Sequence, residues 1–143
     1  MAKRRMINKE IVESDAFLEL AATTQLLYFY LIFNADDDGF LRNTISVAKK
    51  IGASKNNISQ LVRSKFIIRY SSGTISIVHW LLHNSISRAR HSTSISNEEI
   101  KKTFITQDNL YSVCGDSPNL RLDEWIDKNK VIKKSGDETN NNP

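Results

Sequence analysis

Gly52 separates two short amphipathic patterns, and this arrangement constrains the fold more than any other feature of the sequence. Apolar residues recur three or four positions apart in residues 45–51, and they do so again in residues 58–62. In each case this spacing places them on one face of a helix. Because glycine adopts the left-handed backbone conformation at little cost, Gly52 predicts a sharp turn between two helices, with Ser54 capping the second.

The segments before and after this helix pair predict a further helix and a β-hairpin. The apolar run "LLYFYLIF" predicts a buried first helix over residues 24–34, and "NADDDGF" supplies the turn residues that end it. After Lys65, β-branched and aromatic residues on both sides of "SSG" predict a hairpin of two strands. The sequence therefore predicts an α+β fold, a winged helix-turn-helix with a three-helix core and a β-hairpin wing.

The length of the chain limits its domain organisation. With 143 residues, of which 40% are hydrophobic, the chain can bury one core of ordinary size. We expect a winged-helix domain over residues 1–91 and a short C-terminal appendage, helical or partly disordered, over residues 92–134. Residues 135–143, "SGDETNNNP", have the composition of a disordered tail.

Charge is unevenly distributed along the chain. The net charge is only +4, but no aspartate or glutamate occurs between Gly39 and Asn97, a segment that contains nine lysines and arginines. Such a separation creates a positive surface that attracts a polyanion more strongly than the net charge suggests. The basic segment coincides with the predicted helix pair and hairpin, which favours DNA binding over a merely solvated basic face.

The second helix of the pair is the predicted recognition helix. Its outer face carries amide and basic side chains, which match the hydrogen-bonding edges of adenine and guanine in the major groove. A merely solvated helix would be expected to carry glutamates among its lysines, and this one carries none. The predicted base-reading residues are Lys55, Asn56, Ser59, Gln60 and Arg63. The predicted contacts to the DNA backbone are Lys49, Lys50, Lys65, Arg69, Ser71, Ser72, Arg88 and Arg90.

The residues that could support catalysis or bind a metal are isolated in the sequence. His79 and His83 are four positions apart, but no third ligand follows them, so a structural role is favoured. For the aspartates at residues 36–38, a solvated turn that also orients the protein on DNA is favoured over a magnesium site. Cys114 has no recognisable base beside it. We therefore expect no enzymatic activity, no catalytic residue, no metal and no cofactor.

The start of the chain and its single cysteine bear on the compartment. "MAKRRM" is basic, but the polar "INKEIVESD" follows where a signal peptide would be apolar. The longest apolar run, at residues 26–33, is too short for a membrane span. With one cysteine and no internal disulfide, we expect a cytoplasmic protein without a membrane partner. The basic start itself is either an arm that binds phosphate or a solvated terminus.

Several of these segments resemble a known family. They are "MAKRRMINKEIVESDAFLEL", "ADDDGF", "KKIGAS" followed by the predicted recognition helix, "SKFII", and "HW" and "HN" before a basic stretch. Together they are similar to the N-terminal DNA-binding domain of phage replisome organiser proteins, the replication initiators of many Gram-positive phages. The resemblance covers about residues 1–100. It implies a winged-helix domain that binds the replication origin and helps to recruit host replication proteins.

The end of the chain departs from this family and leaves two other roles open. Family members often continue with a segment containing proline and threonine and with a longer C-terminal region, whereas "RHSTSIS" has no proline. A shortened relative could act as a phage transcriptional regulator, or as an inhibitor that binds a host defence nuclease through the same scaffold. Under these hypotheses the partner is duplex DNA or a host protein, and the protein acts in the host cell cytoplasm. None of them predicts the oligomeric state.

Overall fold

The computed structural model of the protein describes residues 4–84 and 96–128, which form a mixed α+β fold with two small antiparallel three-stranded sheets. The predicted α+β class is confirmed. Within these two segments, every helix is too short or too polar to cross a lipid bilayer. The elements in chain order are α1 Lys9–Val12, α2 Asp15–Leu18, α3 Ala22–Asn34, β1 Phe40–Leu41, α4 Thr44–Lys50, α5 Lys55–Arg63, β2 Ile67–Arg69, β3 Ile75–Ile77, α6 Trp80–His83, α7 Asn97–Lys101, β4 Phe104–Ile105, β5 Tyr111–Ser112, β6 Leu120–Arg121 and a helical segment at residues 122–128.

Helix α3 packs one face into the hydrophobic core against α4 and α5. That face consists of Leu27, Tyr28, Leu31 and Ile32, all fully buried. The opposite face exposes three large apolar side chains, Leu26, Tyr30 and Phe33. The helix predicted over residues 24–34 is confirmed as Ala22–Asn34, but α1 and α2 precede it, so it is not the first helix, and the expectation that it is buried is wrong for its outer face.

Gly52 makes the turn between α4 and α5. Its φ of +73° is left-handed, and nothing lies within 4 Å of the position that a Cβ would occupy. The backbone N–H groups of Gly52 and Ala53 donate to the carbonyl oxygens of Lys49 and Ala48, which closes the end of α4. The predicted pair of helices around a glycine turn is therefore confirmed, and α5 begins after Ser54 as expected.

The predicted hairpin forms two strands of the first sheet. Strands β2 and β3 pair antiparallel, with Ile67 opposite Ile77, and the chain reverses through a turn in which Gly73 has a φ of +90°. Strand β1 pairs with the other edge of β3, so the strand order is β1-β3-β2. Ile67, Ile75 and Ile77 are almost fully buried, which joins this sheet to the core formed by α3 and α5.

The acidic turn between α3 and β1 is buried, so the expectation of a solvated turn is wrong. Asp37 and Asp38 are only 4% and 7% exposed. The Arg5 guanidinium lies 3.1 Å from Asp37 Oδ1 and 5.2 Å from the centre of the Trp80 ring, and Trp80 Nε1 donates to the Asp37 carbonyl. Gly39 has a φ of +88°, and a Cβ there would lie 2.5 Å from Trp80 Cγ. Only glycine therefore lets the indole pack on this turn.

The start of the described chain is fixed to the same region. Besides its ion pair, Arg5 donates to the Ala35 carbonyl at 2.7 Å. The Asn8 backbone N–H donates to His83 Nδ1 at 2.8 Å, which ties the segment before α1 to α6. The buried position of Arg5 excludes both proposed roles for this residue, a phosphate-binding arm and a solvated terminus, while residues 1–3 lie outside the described residues.

The C-terminal segment adds a second sheet that the sequence did not predict. Its strand order is β5-β4-β6. Its buried side chains belong to the same hydrophobic core as those of α3, α5 and the first sheet. Tyr111 Oη donates to the Asp38 carbonyl at 2.7 Å, Tyr70 Oη lies 2.5 Å from Thr103 Oγ1, and Leu122 is fully buried. The predicted boundary at residue 91 and the predicted tail at 135–143 lie outside the described residues.

Candidate nucleic-acid interface

Helix α5 presents one polar face to solvent. Ile58 and Leu61 are buried in the core, so the side chains on the opposite side of the helix point outward. Lys55, Asn56 and Arg63 are exposed on this outer face, and Ser59 is half-buried at the intervening turn. Four of the five predicted base-reading residues thus share one accessible row.

Gln60, the fifth predicted base-reading residue, is held by α3 instead of extending freely into solvent. Its side chain is half-buried, and Thr24 Oγ1 donates to its Oε1 at 2.5 Å. Thr24 is itself fully buried and accepts a hydrogen bond from Asn57 Nδ2 at 2.9 Å. The sequence predicted Thr24 as a possible N-cap of the apolar helix, which instead begins at Ala22, and it did not predict the contacts of Thr24 with Gln60 and Asn57. A polar residue on the buried face of an apolar helix was the available signal, because such a hydroxyl needs a partner.

Asn57 also fixes the start of α5. The Ser54 backbone N–H and hydroxyl both donate to Asn57 Oδ1, at 2.9 and 3.1 Å. Because a backbone N–H can only donate, Oδ1 is the acceptor there and Nδ2 is the atom that faces Thr24. The side chains of Ser54, Asn57, Thr24 and Gln60 therefore form one directed chain of hydrogen bonds that ties α5 to α3.

Exposed basic side chains also lie on the segments that adjoin α5 along the chain. Lys49 and Lys50 occupy the last turn of α4, Lys65 follows α5 with a left-handed φ of +65°, and Arg69 ends β2. All four residues are exposed. Within residues 4–84 and 96–128, no ion pair involves these four residues or the two basic residues of α5. We refer to this set as the cationic face: Lys49, Lys50, Lys55, Arg63, Lys65 and Arg69.

The turn of the β2–β3 hairpin is only partly available for a phosphate. Ser71 is exposed, but Ser72 Oγ donates to Glu99 Oε1 at 2.7 Å. Burial raises the pKa of Glu99, but the hydrogen bond from Ser72 and the charge of Arg42 help to bring it below its ordinary value. An ionised carboxylate therefore lies beside Ser72 and disfavours a phosphate contact there. The other two predicted backbone contacts, Arg88 and Arg90, lie outside the described residues.

His83 is buried beside α3, and the half-buried His79 packs against Phe66. His83 Nδ1 accepts the Asn8 N–H, and its Nε2 lies 2.7 Å from Tyr28 Oη, so protein groups occupy both ring nitrogens. Burial, with a smaller effect of His79, lowers the pKa of His83 to about 4. Across the described parts of the chain, no three histidine, cysteine, aspartate or glutamate side chains are grouped as a metal site would require.

Comparisons of the chain with protein-family models, with curated proteins and with solved structures find no match. The interpretation of this site therefore depends on the geometry and charge of its own residues.

Proposed function

We propose that this chain is a winged-helix protein that binds double-stranded DNA with α5 in the major groove. The observation that carries the proposal is the cationic face, whose side chains form no ion pair within the described residues, together with the exposed Asn56 and the half-buried Ser59 on the outer side of α5. Lysines and arginines that neutralise phosphates release condensed counterions, which favours binding. The major groove is about 12 Å wide and admits one helix.

The order of elements supports the winged-helix part of the proposal. Helices α3, α4 and α5 are followed by the β2–β3 hairpin, and β1 pairs with the free edge of β3. Strand β2 follows directly after α5, so the hairpin lies beside the proposed recognition helix. In this arrangement Arg69 and Ser71 would reach the phosphates next to the groove that α5 occupies.

The outer residues of α5 have distinct proposed roles. Arg63 and Lys55 carry donors that suit guanine, Asn56 can pair with adenine, and Ser59 can contact either base. The lysines of α4 and Lys65 would contact phosphates and set the register of the protein on the duplex. Base specificity is therefore proposed to depend on α5, and salt-dependent affinity on the whole cationic face.

Fluorescence anisotropy with a selected duplex and a random duplex, between low and moderate salt, tests the proposal. We expect Arg63→Ala to weaken binding to the selected duplex by about 1–3 kcal/mol and to reduce its preference over random DNA. Lys49→Ala should weaken both duplexes alike and flatten the slope of log affinity against log salt by about one. Lys101→Ala is the matched control, because the Lys101 ammonium already lies 3.9 Å from a Glu98 carboxylate oxygen.

Equal losses on both duplexes for Arg63→Ala would contradict base reading by α5. Absence of salt-dependent binding by the unaltered chain would contradict the proposal as a whole.

For the biological role, we propose origin binding at the start of phage DNA replication, in the cytoplasm of the host cell. The support is the resemblance of about residues 1–100 to replisome organiser proteins. Selection of bound fragments from the genome that encodes the chain tests this role. Enrichment of one locus with clustered sites is expected for an initiator, whereas enrichment of segments upstream of genes would favour a transcriptional regulator.

A protein-binding inhibitor of a host defence nuclease is the second candidate function. The observation that favours it is the exposed apolar stripe Leu26, Tyr30 and Phe33 on α3, because such stripes are common in protein interfaces. This candidate predicts little duplex affinity even at low salt and no effect of Arg63→Ala. The anisotropy experiment therefore separates the two.

A further inference from the structure

The hydrogen bonds between α3 and α5 limit what Gln60 can offer to a base. The backbone N–H of Ser54 fixes Asn57 with Nδ2 toward Thr24, so Thr24 Oγ1 receives a hydrogen bond from that side. The hydroxyl hydrogen of Thr24 then remains to be donated, and Gln60 Oε1 is its acceptor at 2.5 Å. The amide oxygen of Gln60 is therefore engaged inside the protein, and its Nε2 group keeps two donors.

This polarity matters because a glutamine normally recognises adenine with both amide atoms. Its oxygen accepts from adenine N6 while its nitrogen donates to adenine N7. Guanine presents two acceptors, N7 and O6, at the same edge. If its oxygen is held toward Thr24, the amide turns its Nε2 donors to the groove, so it meets the adenine N6 donor with another donor, whereas both guanine acceptors remain compatible with it.

We infer that Gln60 selects guanine over adenine, and that Thr24 is the positioning residue that imposes this choice by holding the amide oxygen. The inference rests on the proposed function, since it concerns a base in the groove that α5 would occupy. Thr24 is fully buried and cannot touch DNA in this arrangement, so it acts only through Gln60.

Selection of bound duplexes from a randomised pool, followed by sequencing, tests the inference. The variants are Gln60→Ala, Thr24→Val and Thr24→Ser, each compared with the unaltered chain. Gln60→Ala identifies the position in the site that Gln60 controls, because the base preference disappears there. Valine has nearly the shape of threonine without its hydroxyl, and serine keeps the hydroxyl without the methyl group.

At that position we expect the unaltered chain to prefer guanine over adenine by about three- to tenfold, the range of one net hydrogen bond. Thr24→Ser should keep the preference. Thr24→Val frees the amide to rotate, so the ratio of guanine to adenine should fall to about one or below. Preferences at the positions read by Arg63 and Asn56 should not change, which distinguishes this effect from a general loss of fold.

Several outcomes would overturn the inference while leaving DNA binding intact. They are a preference for adenine by the unaltered chain, an unchanged ratio in Thr24→Val, and a Gln60→Ala variant that alters no position. Failure of the unaltered chain to select any duplex would overturn the proposed function together with the inference. Thermal unfolding by circular dichroism identifies variants that are folded at the selection temperature. If Thr24→Val unfolds, the base that the unaltered chain prefers at the position identified by Gln60→Ala still decides the inference, because a preference for adenine there would overturn it.

Discussion

Two regions of this protein concentrate charge and use it in opposite ways. On the cationic face, lysines and arginines project into solvent and form no ion pairs within the described residues. At the turn formed by residues 36–39, the carboxylates are largely buried, and Asp37 pairs with a buried guanidinium that lies over an indole. A buried charge is costly unless it is paired, so the acidic turn depends on its partners. An exposed charge without a partner costs the folded state little free energy, and it remains accessible to a ligand of opposite charge.

Charge density along a sequence does not reveal the role of the charge. Both regions are local runs of one sign, yet one stabilises the fold and the other is open to a partner. Substitutions in the acidic turn should therefore change the free energy of unfolding, whereas substitutions on the cationic face should change mainly affinity.

Gly39→Ala should have the largest effect. The φ of +88° strains any L-residue, and the new Cβ would lie 2.5 Å from Trp80 Cγ, which forces the indole off the turn. We expect a loss of about 4 kcal/mol in the free energy of unfolding, measured by urea denaturation. Gly73→Ala is the matched control, because its φ of +90° is similar but no atom lies within 4 Å. It should cost only about 1 kcal/mol, and equal losses in both variants would contradict the role of Trp80.

Asp37→Asn should cause the next largest loss in the free energy of unfolding. It leaves the Arg5 guanidinium, whose side chain is 3% exposed, without its counterion. Removal of one partner of a buried pair costs about 3 kcal/mol. The control is Asp123→Asn, whose pair with Arg121 lies at the surface and should contribute less than about 1 kcal/mol. If Asp37→Asn changed duplex affinity more than stability, the division between the two regions would fail.

The pH dependence of stability should reveal the buried His83. Its pKa is lowered to about 4 in the fold, against 6.5 in the unfolded chain. Between these values the unfolded state binds a proton that the folded state does not, so stability rises with pH and is lost as pH falls from 6.5 toward 4. The slope is about 1.4 kcal/mol per pH unit, or roughly 2 kcal/mol between pH 7.5 and 5.

Urea denaturation across this pH range measures the effect, and His83→Gln should flatten the curve. Burial also lowers the pKa of His79, so a smaller slope of the same sign should remain in that variant. An unchanged slope in His83→Gln would show that His83 is not the titrating group.

The helix pair and the hairpin were predictable because their signals are local. Apolar spacing defined α4 and α5, Gly52 defined the turn between them, and "SSG" defined the reversal between β2 and β3. Each of these features depends on residues only a few positions apart in the sequence. The outer face of α5 was also predictable, apart from Gln60, since burial of Ile58 and Leu61 determines which side faces outward.

The features that could not be predicted depend on partners far along the chain. Burial of Asp37 requires Arg5 and Trp80, which are 32 and 43 positions away, so the local pattern indicated only a polar turn. The engagement of Gln60 by Thr24 spans 36 positions. Strands β4, β5 and β6 have two residues each, too few for a periodic signal. The exposed stripe on α3 was missed because an apolar run does not show which of its faces has a neighbour.

Lys65→Gly should have the smallest effect on stability and the sharpest contrast with the acidic turn. Lys65 has a φ of +65°, a conformation that costs a residue with a side chain about 1 kcal/mol and costs glycine little. Glycine also makes the unfolded chain more flexible, so we expect a net gain of only about 0.5 kcal/mol in the free energy of unfolding. The same variant removes one charge from the cationic face, so duplex affinity should fall and its salt slope should flatten by about one.

Lys65→Ala is the matched control: it loses the same charge and keeps the strained backbone, so affinity should fall equally without the gain in stability. A fall in stability and affinity together in Lys65→Gly would mean that this residue stabilises the fold, and the separation between a structural acidic turn and the proposed binding role of the cationic face would no longer hold at this position.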